Sequence, residues 1–397
     1  MTILFLTDEY NHPNFPPTGG IGSFIKSMAT ELTKKGHQVI IFALCEEEQH
    51  FFDGTIEVKM IKSHKLYYKP FAKHLNSIFK RIGLVTLSAK LERIYLARRL
   101  KNFIKQSGKK IDLIEANDNQ GLFLKVKGIA PLVVRCHGSV KFLNTCYNGY
   151  QLSPIIEEIE TMAFKNVKNI VAVSNFSAIN TAKIFNTGKI DVIYNGIDTN
   201  LFSPKEASNT IPYSIFYYGT LSEQKGSKIL CEVFNEVVKI QPKATLHFIG
   251  KGKKYWEYLY EDVIQEKDKV FYTDSVQYVD LPNMISQANV LVFATFGENL
   301  PLVVIESMAM EKPVVISNID VAPEIINHGQ DGYIVNSNEE FVQTILNLFN
   351  NPDLATKIGV NARQKVINQF SLDKTVENTL QYYNKTINSF EKNEETL

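Results

Sequence analysis

Residues 289–317 read "NVLVFATFGENLPLVVIESMAMEKPVVIS". The runs NVLVF and PVVIS are short, apolar and rich in β-branched residues, as strands buried on both faces are. Between them Pro301 suits the first position of a helix, since its missing N–H would be unpaired there anyway. The stretch therefore predicts strand, loop, helix, strand, one βαβ unit of a parallel sheet. Two glutamates with seven residues between them, Glu298 and Glu306, fall in the loop and in the first turn of that helix.

The same grammar extends in both directions. Residues 3–6 (ILFL) are followed by the Gly-rich turn PPTGGIG, a helical pattern over 23–35, Gly36 as its stop, and QVIIFAL as the next buried strand. DLIEA, PLVVRCHG and NIVAVS continue the series. Asn, Gly, Ser and Pro then concentrate between about 195 and 213, as an interdomain linker would. Beyond it come SIFYYGTL, the helical GSKILCEVFNEVVKI, ATLHFIGKG and KVFYTDSVQYV, and SLDKTVENTLQYYNKTINSF closes the chain as a helix. The expected fold class is α/β, with two Rossmann-like doubly wound domains facing across a cleft. One covers 1–200, joined by the terminal helix at about 376–397, and the other covers 201–375. Ligands of such sheets bind at the carboxyl ends of the strands.

A chain of 397 residues with 44% hydrophobic and 21% charged residues has the length and composition for two packed cores. The first residues hold only four consecutive apolar positions and no preceding basic region, which argues against a signal peptide or membrane span and for the cytoplasm. Cys45, Cys136, Cys146 and Cys231 lack metal-finger spacing and read as free thiols. Net charge is +1, yet residues 59–110 carry 15 Lys/Arg against the single acid Glu92, interleaved with aromatic and aliphatic residues. That region reads either as a solvated face or as a peripheral contact with an anionic membrane. Near-neutral overall charge and the lack of a reading module exclude nucleic acid as partner.

The site chemistry follows from the two acids. The helix after Pro301 leaves the N–H groups of Leu302 and Val303 unsatisfied, and these favour an anion such as phosphate. An ionised carboxylate has only acceptors, so Glu306 suits the vicinal hydroxyls of a ribose and Glu298 those of a second sugar. A nucleoside diphosphate sugar satisfies all three; two helix-capping acids are the plain alternative.

The stretch ENLPLVVIESMAMEKPVV resembles the donor-sugar motif of the retaining glycosyltransferases of family four, which have the two-Rossmann GT-B fold. GGIG at 19–22, RCHG at 135–138, NGID at 195–198 and GTLSEQKG at 219–226 follow that family's order. The resemblance implies donor contacts at Gly20, Gly219, Lys225, Val279, Glu298, Leu302, Val303 and Glu306, and catalytic roles for His137, Lys225 and Glu298. Gly20 would meet the distal phosphate, Lys225 the diphosphate leaving group, and His137 the sugar near its reacting carbon; the backbone around Gln277–Val279 would read the base. Where the family carries an arginine five residues before the lysine, this chain has Thr220. Leaving-group stabilisation is then expected to rest more on Lys225 and the helix N-terminus, or to be supplemented by Arg135.

The resemblance further implies transfer with retention, from a donor such as a UDP-sugar to a glycan or lipid-linked acceptor in surface polysaccharide or glycolipid synthesis. No cofactor is expected beyond the nucleotide sugar as co-substrate, and no metal, because the chain contains no D-x-D stretch. Competing readings are a sugar-nucleotide epimerase or a non-catalytic sugar-nucleotide-binding protein of the same fold. A nicotinamide oxidoreductase fits poorly, since GGIG lies a dozen residues past its strand and lacks G-x-G-x-x-G spacing.

Overall fold

A computed structural model describes residues 1–16, 19–63, 84–165, 167–204 and 210–395. The chain divides into two units, the first of Met1–Ile193 with Thr375–Leu397 and the second of Tyr194–Lys374.

The first unit is built on eight strands: β1 (Thr2–Thr7), β2 (Gln38–Cys45), β3 (Gln49–Asp53), β4 (Ile56–Lys62), β5 (Leu113–Asn117), β6 (Leu132–Cys136), β7 (Ile170–Ala172) and β8 (Asp191–Val192). Their order in the sheet is β3-β4-β2-β1-β5-β6-β7-β8. All neighbours are parallel except β3 and β4, an antiparallel hairpin at one edge. That edge departs from the wholly parallel expectation. Its turn is made by Gly54, at φ +62, a conformation open to glycine at no steric cost. In the centre Leu4, Ile41, Ile114 and Val134 are fully buried, each contributing roughly 1.5–3 kcal/mol of apolar transfer.

The second unit has β9 (Ser214–Tyr218), β10 (Thr245–Ile249), β11 (Val270–Thr273), β12 (Val290–Phe293), β13 (Val314–Ser317) and β14 (Tyr333–Val335), all parallel, in the order β11-β10-β9-β12-β13-β14. The helix Leu302–Ala309 joins β12 to β13, completing the βαβ unit expected from 289–317.

The terminal helix Leu372–Glu395 returns to the first sheet. Tyr383 donates to Glu115 Oε2 at 2.6 Å, Arg135 Nη2 donates to Thr379 Oγ1 at 3.1 Å, and Tyr382 donates to the Ile170 carbonyl at 3.3 Å. Arg135 itself lies 1% exposed and forks onto both oxygens of Glu115 at 2.9 and 3.1 Å. Its guanidinium holds the last helix to the sheet, so it is not available to a leaving group, contrary to the expectation that it supplements leaving-group stabilisation. Of the basic stretch 59–110, Lys59 and Lys62 fall in β4 and residues 84–107 in the helix Leu84–Ser107. Residues 64–83, which hold its most aromatic part, lie outside the described residues.

Candidate active site

In the second unit β9 and β12 are neighbours whose following connections leave in opposite directions. Loops at the carboxyl ends of such a pair separate and open a crevice. The loop 219–226 follows β9 and the loop 294–301 follows β12. They are fastened together: Phe296 N–H and Thr295 Oγ1 both donate to the Gln224 carbonyl, at 3.1 and 3.3 Å. Gly226 makes the fastening possible. It sits at φ +68, and a Cβ there would lie 1.7 Å from the Ala294 carbonyl oxygen. With the loops so close, Lys225 Nζ donates to Glu298 Oε1 at 2.5 Å, with both side chains partly open to solvent. Gly219, at φ +135, passes so near Gly250 that a Cβ on the latter would meet its carbonyl at 2.1 Å.

The helix Leu302–Ala309 starts beside this pair. Its first intrahelical bond is Val304 N–H to the Pro301 carbonyl, 3.1 Å, which leaves the amides of Leu302 and Val303 ahead of the ladder. Glu306 is the fifth residue of the helix, in its second turn rather than its first, and is 5% exposed. The Tyr278 hydroxyl donates to its Oε1 at 2.8 Å. Tyr218 lies against it too, donating to the Val303 carbonyl at 2.5 Å and accepting from Ser307 Oγ at 3.2 Å. Burial pushes the Glu306 carboxyl up to about 7, while the two tyrosine hydroxyls act in the opposite direction. Val279, adjoining Tyr278, is 66% exposed on the loop that carries both.

Gly20 and His137 belong to the first unit. Gly20 opens the helix Gly20–Lys34 instead of lying in the loop before it, and a Cβ placed on it would meet nothing within 4 Å. Among the described residues, then, nothing fills the space beside it. His137 follows β6, and its ring meets Phe24 edge-on at 5.0 Å. The Arg135 guanidinium lies over the Phe24 ring, 5.1 Å from its centroid. Burial, then the charge of Arg135, lowers His137 to about 3, so its imidazole is neutral at physiological pH.

Around His137 the loops are tied by buried carboxylates that sequence reading missed. Asp118 accepts from the backbone N–H of His137 and Gly138 at 2.9 and 3.1 Å. Glu160 accepts from Gln120, Val140 and Lys141 at 3.0, 3.0 and 2.9 Å. Burial raises Asp118 to about 6 and Glu160 to about 8 against the pull of those amides. The contact of the Tyr278 hydroxyl and the close approach at Gly226 were missed as well. Only Gly226 carried a signal, as a glycine directly before a helical pattern.

Two descriptions match the chain nearly end to end: Glycosyltransferase Family 4 over residues 18–201 and Glycosyl transferases group 1 over 198–365. The chain belongs to the family 4, group 1 glycosyltransferases. Among relatives of this glycosyltransferase, the capsular polysaccharide biosynthesis glycosyltransferase CapM of Staphylococcus aureus is 30% identical over 167 residues, covering 40% of this chain and 42% of CapM. Among solved structures, sucrose-phosphate synthase from Thermosynechococcus elongatus superposes with a TM-score of 0.77 at 17% identity, over 98% of this chain and 100% of that one. Anabaena HepE in complex with UDP does so at 0.73 and 17%, over 97% and 100%. The glycosyltransferase thus has the GT-B fold.

Proposed function

We propose that this glycosyltransferase moves a hexose-type sugar, with retention, from a nucleoside diphosphate sugar to a glycan or lipid-linked acceptor in surface polysaccharide or glycolipid synthesis. The observation that carries the reading is the Lys225–Glu298 pair at the mouth of the β9/β12 crevice, beside the free amides of Leu302 and Val303 and the buried Glu306. Lys225 and the two amides would neutralise the diphosphate as charge develops on it. Glu306 would take the ribose hydroxyls, Glu298 those of the transferred sugar, Gly20 the distal phosphate, and the backbone at Val279 the base. Neutral His137 can accept or donate one hydrogen bond to the sugar near its reacting carbon. No residue is assigned as nucleophile. The departing phosphate oxygen would take the acceptor's proton on the same face, without a metal. UDP as the nucleotide is supported by the UDP complex of HepE, and the polysaccharide role by the name of CapM.

Contact with an anionic membrane is supported by the helix Leu84–Ser107, where Leu87 and Leu91 are 48% and 55% exposed and Arg98, Lys101 and Lys105 are exposed further along. No helix among the described residues is long and apolar enough to cross a membrane. A cytoplasmic protein working at the inner membrane face is the location that fits. Incubating the purified chain with UDP- and GDP-sugars and lipid-linked acceptors tests the activity, with NMR of the product reading its anomer. An inverted anomer, or turnover unchanged in Lys225→Ala, would overturn the mechanism.

A further inference from the structure

Glu306 is enclosed by two tyrosines of very different standing. Tyr218 belongs to β9, is 3% exposed, and is fixed by its own bonds to Val303 and Ser307. Tyr278 stands on the stretch 274–280, where every residue except Val276 is exposed. The residue is 45% exposed, yet its hydroxyl reaches inward to Glu306 Oε1 at 2.8 Å. The ring edge is steadied by Phe202, with centroids 5.3 Å apart and planes at 61°. Those two contacts hold a surface side chain over a carboxylate that is otherwise in the core.

A ribose diol cannot reach a glutamate that is 5% exposed unless part of this shell withdraws. Tyr218 cannot leave without opening the sheet, whereas Tyr278 can turn into solvent. A phenol and a sugar hydroxyl are the same kind of group to a carboxylate, each donating one O–H. Exchange of one for the other conserves the hydrogen bond and leaves no buried acceptor unpaired.

We propose that the Tyr278 hydroxyl occupies the place of a ribose hydroxyl on Glu306 and swings out when a nucleoside diphosphate binds, so that Tyr278 limits how strongly the site favours ribose over its deoxy forms. The proposal rests on the reading that Glu306 receives the donor ribose. A ribonucleotide gains its bond to Glu306 only after the Tyr278 bond is lost, so its apparent affinity is reduced by the fraction of molecules in which the phenol is in place.

Tyr278→Phe deletes the hydroxyl and keeps the ring against Phe202, which isolates the exchange from loop packing. Titration calorimetry on the full chain would compare wild type and Y278F for UDP, GDP and their 2′,3′-dideoxy counterparts. The expected result is a ribonucleotide dissociation constant about three- to tenfold lower in Y278F, the dideoxy form changing less, so that discrimination between them rises. Equal or weaker ribonucleotide binding in Y278F would overturn the proposal, since the hydroxyl would then hold either the ribose or Glu306 itself. If ribo and dideoxy forms bind equally in Y278F, the placement of ribose on Glu306 fails, whatever the effect of the substitution.

Discussion

The two sheets of this glycosyltransferase share a plan, but the carboxyl ends of their strands carry opposite chemistry. In the first unit the polar side chains there are spent on the protein's own backbone: Asp118 on two amides and Glu160 on three, with His137 neutral between them. In the second unit Lys225 pairs with Glu298, whose Oε1 also accepts from Thr295 Oγ1 at 3.5 Å, both side chains stay partly open to water, and the amides of Leu302 and Val303 precede the helix ladder. The same architecture thus satisfies its own carboxylates in one half and, on the proposed reading, leaves donors for an anion in the other. What differs is which donors the loops leave for a visitor.

The largest effect that would sharpen this contrast belongs to the first unit. Arg135→Ala strands Glu115 in the core without its fork and loosens the terminal helix, at a cost of about 3–5 kcal/mol in urea unfolding. Nucleotide affinity of the protein that remains folded is expected to be unchanged, and a parallel loss of binding would break the division of labour. Next comes Lys225→Ala, for which kcat/KM is expected to fall roughly 10²–10³-fold with the melting temperature held.

A smaller effect is set by pH. The folded pKa of Glu306, about 7, stands above its ordinary 4.5, so the native state binds more protons than the unfolded one between those values. Stability from this group therefore declines as pH rises from about 4.5 through 7. Nucleotide affinity is expected to rise over the same upper range, because only the ionised carboxylate accepts two hydroxyls. Glu306→Gln would flatten both slopes, and calorimetry at pH 6 and 8 would read them. The smallest change is Thr220→Arg, which adds a cation beside the anion seat. Nucleotide affinity is expected to rise by up to about tenfold at low salt and to lose most of that gain at high salt.

The parallel cores were legible because strands buried on both faces read as unbroken apolar runs, VLVF and QVIIFAL among them. The β3–β4 hairpin was not, since an edge strand such as QHFFD alternates between half-buried and exposed and shows no such run. At the candidate site the sequence offers the residues but not their partners. Lys225 and Glu298 are 73 positions apart, Tyr278 and Glu306 are 28, and no local pattern announces either contact. Glu160 carried no local signal; only folding surrounds it with the amides of Gln120, Val140 and Lys141.

The Lys225–Glu298 bond has a consequence for how the donor arrives. A lysine already neutralised presents incoming anions with a dipole, whose pull fades with distance faster than that of a lone cation. Capture from afar therefore gains little from this residue, and stray inorganic phosphate, too small to engage the rest of the crevice, has little with which to dislodge the glutamate. On the proposed reading, a nucleoside diphosphate sugar brings a diphosphate for the ammonium and hydroxyls for the carboxylate, and so separates the two while keeping both satisfied.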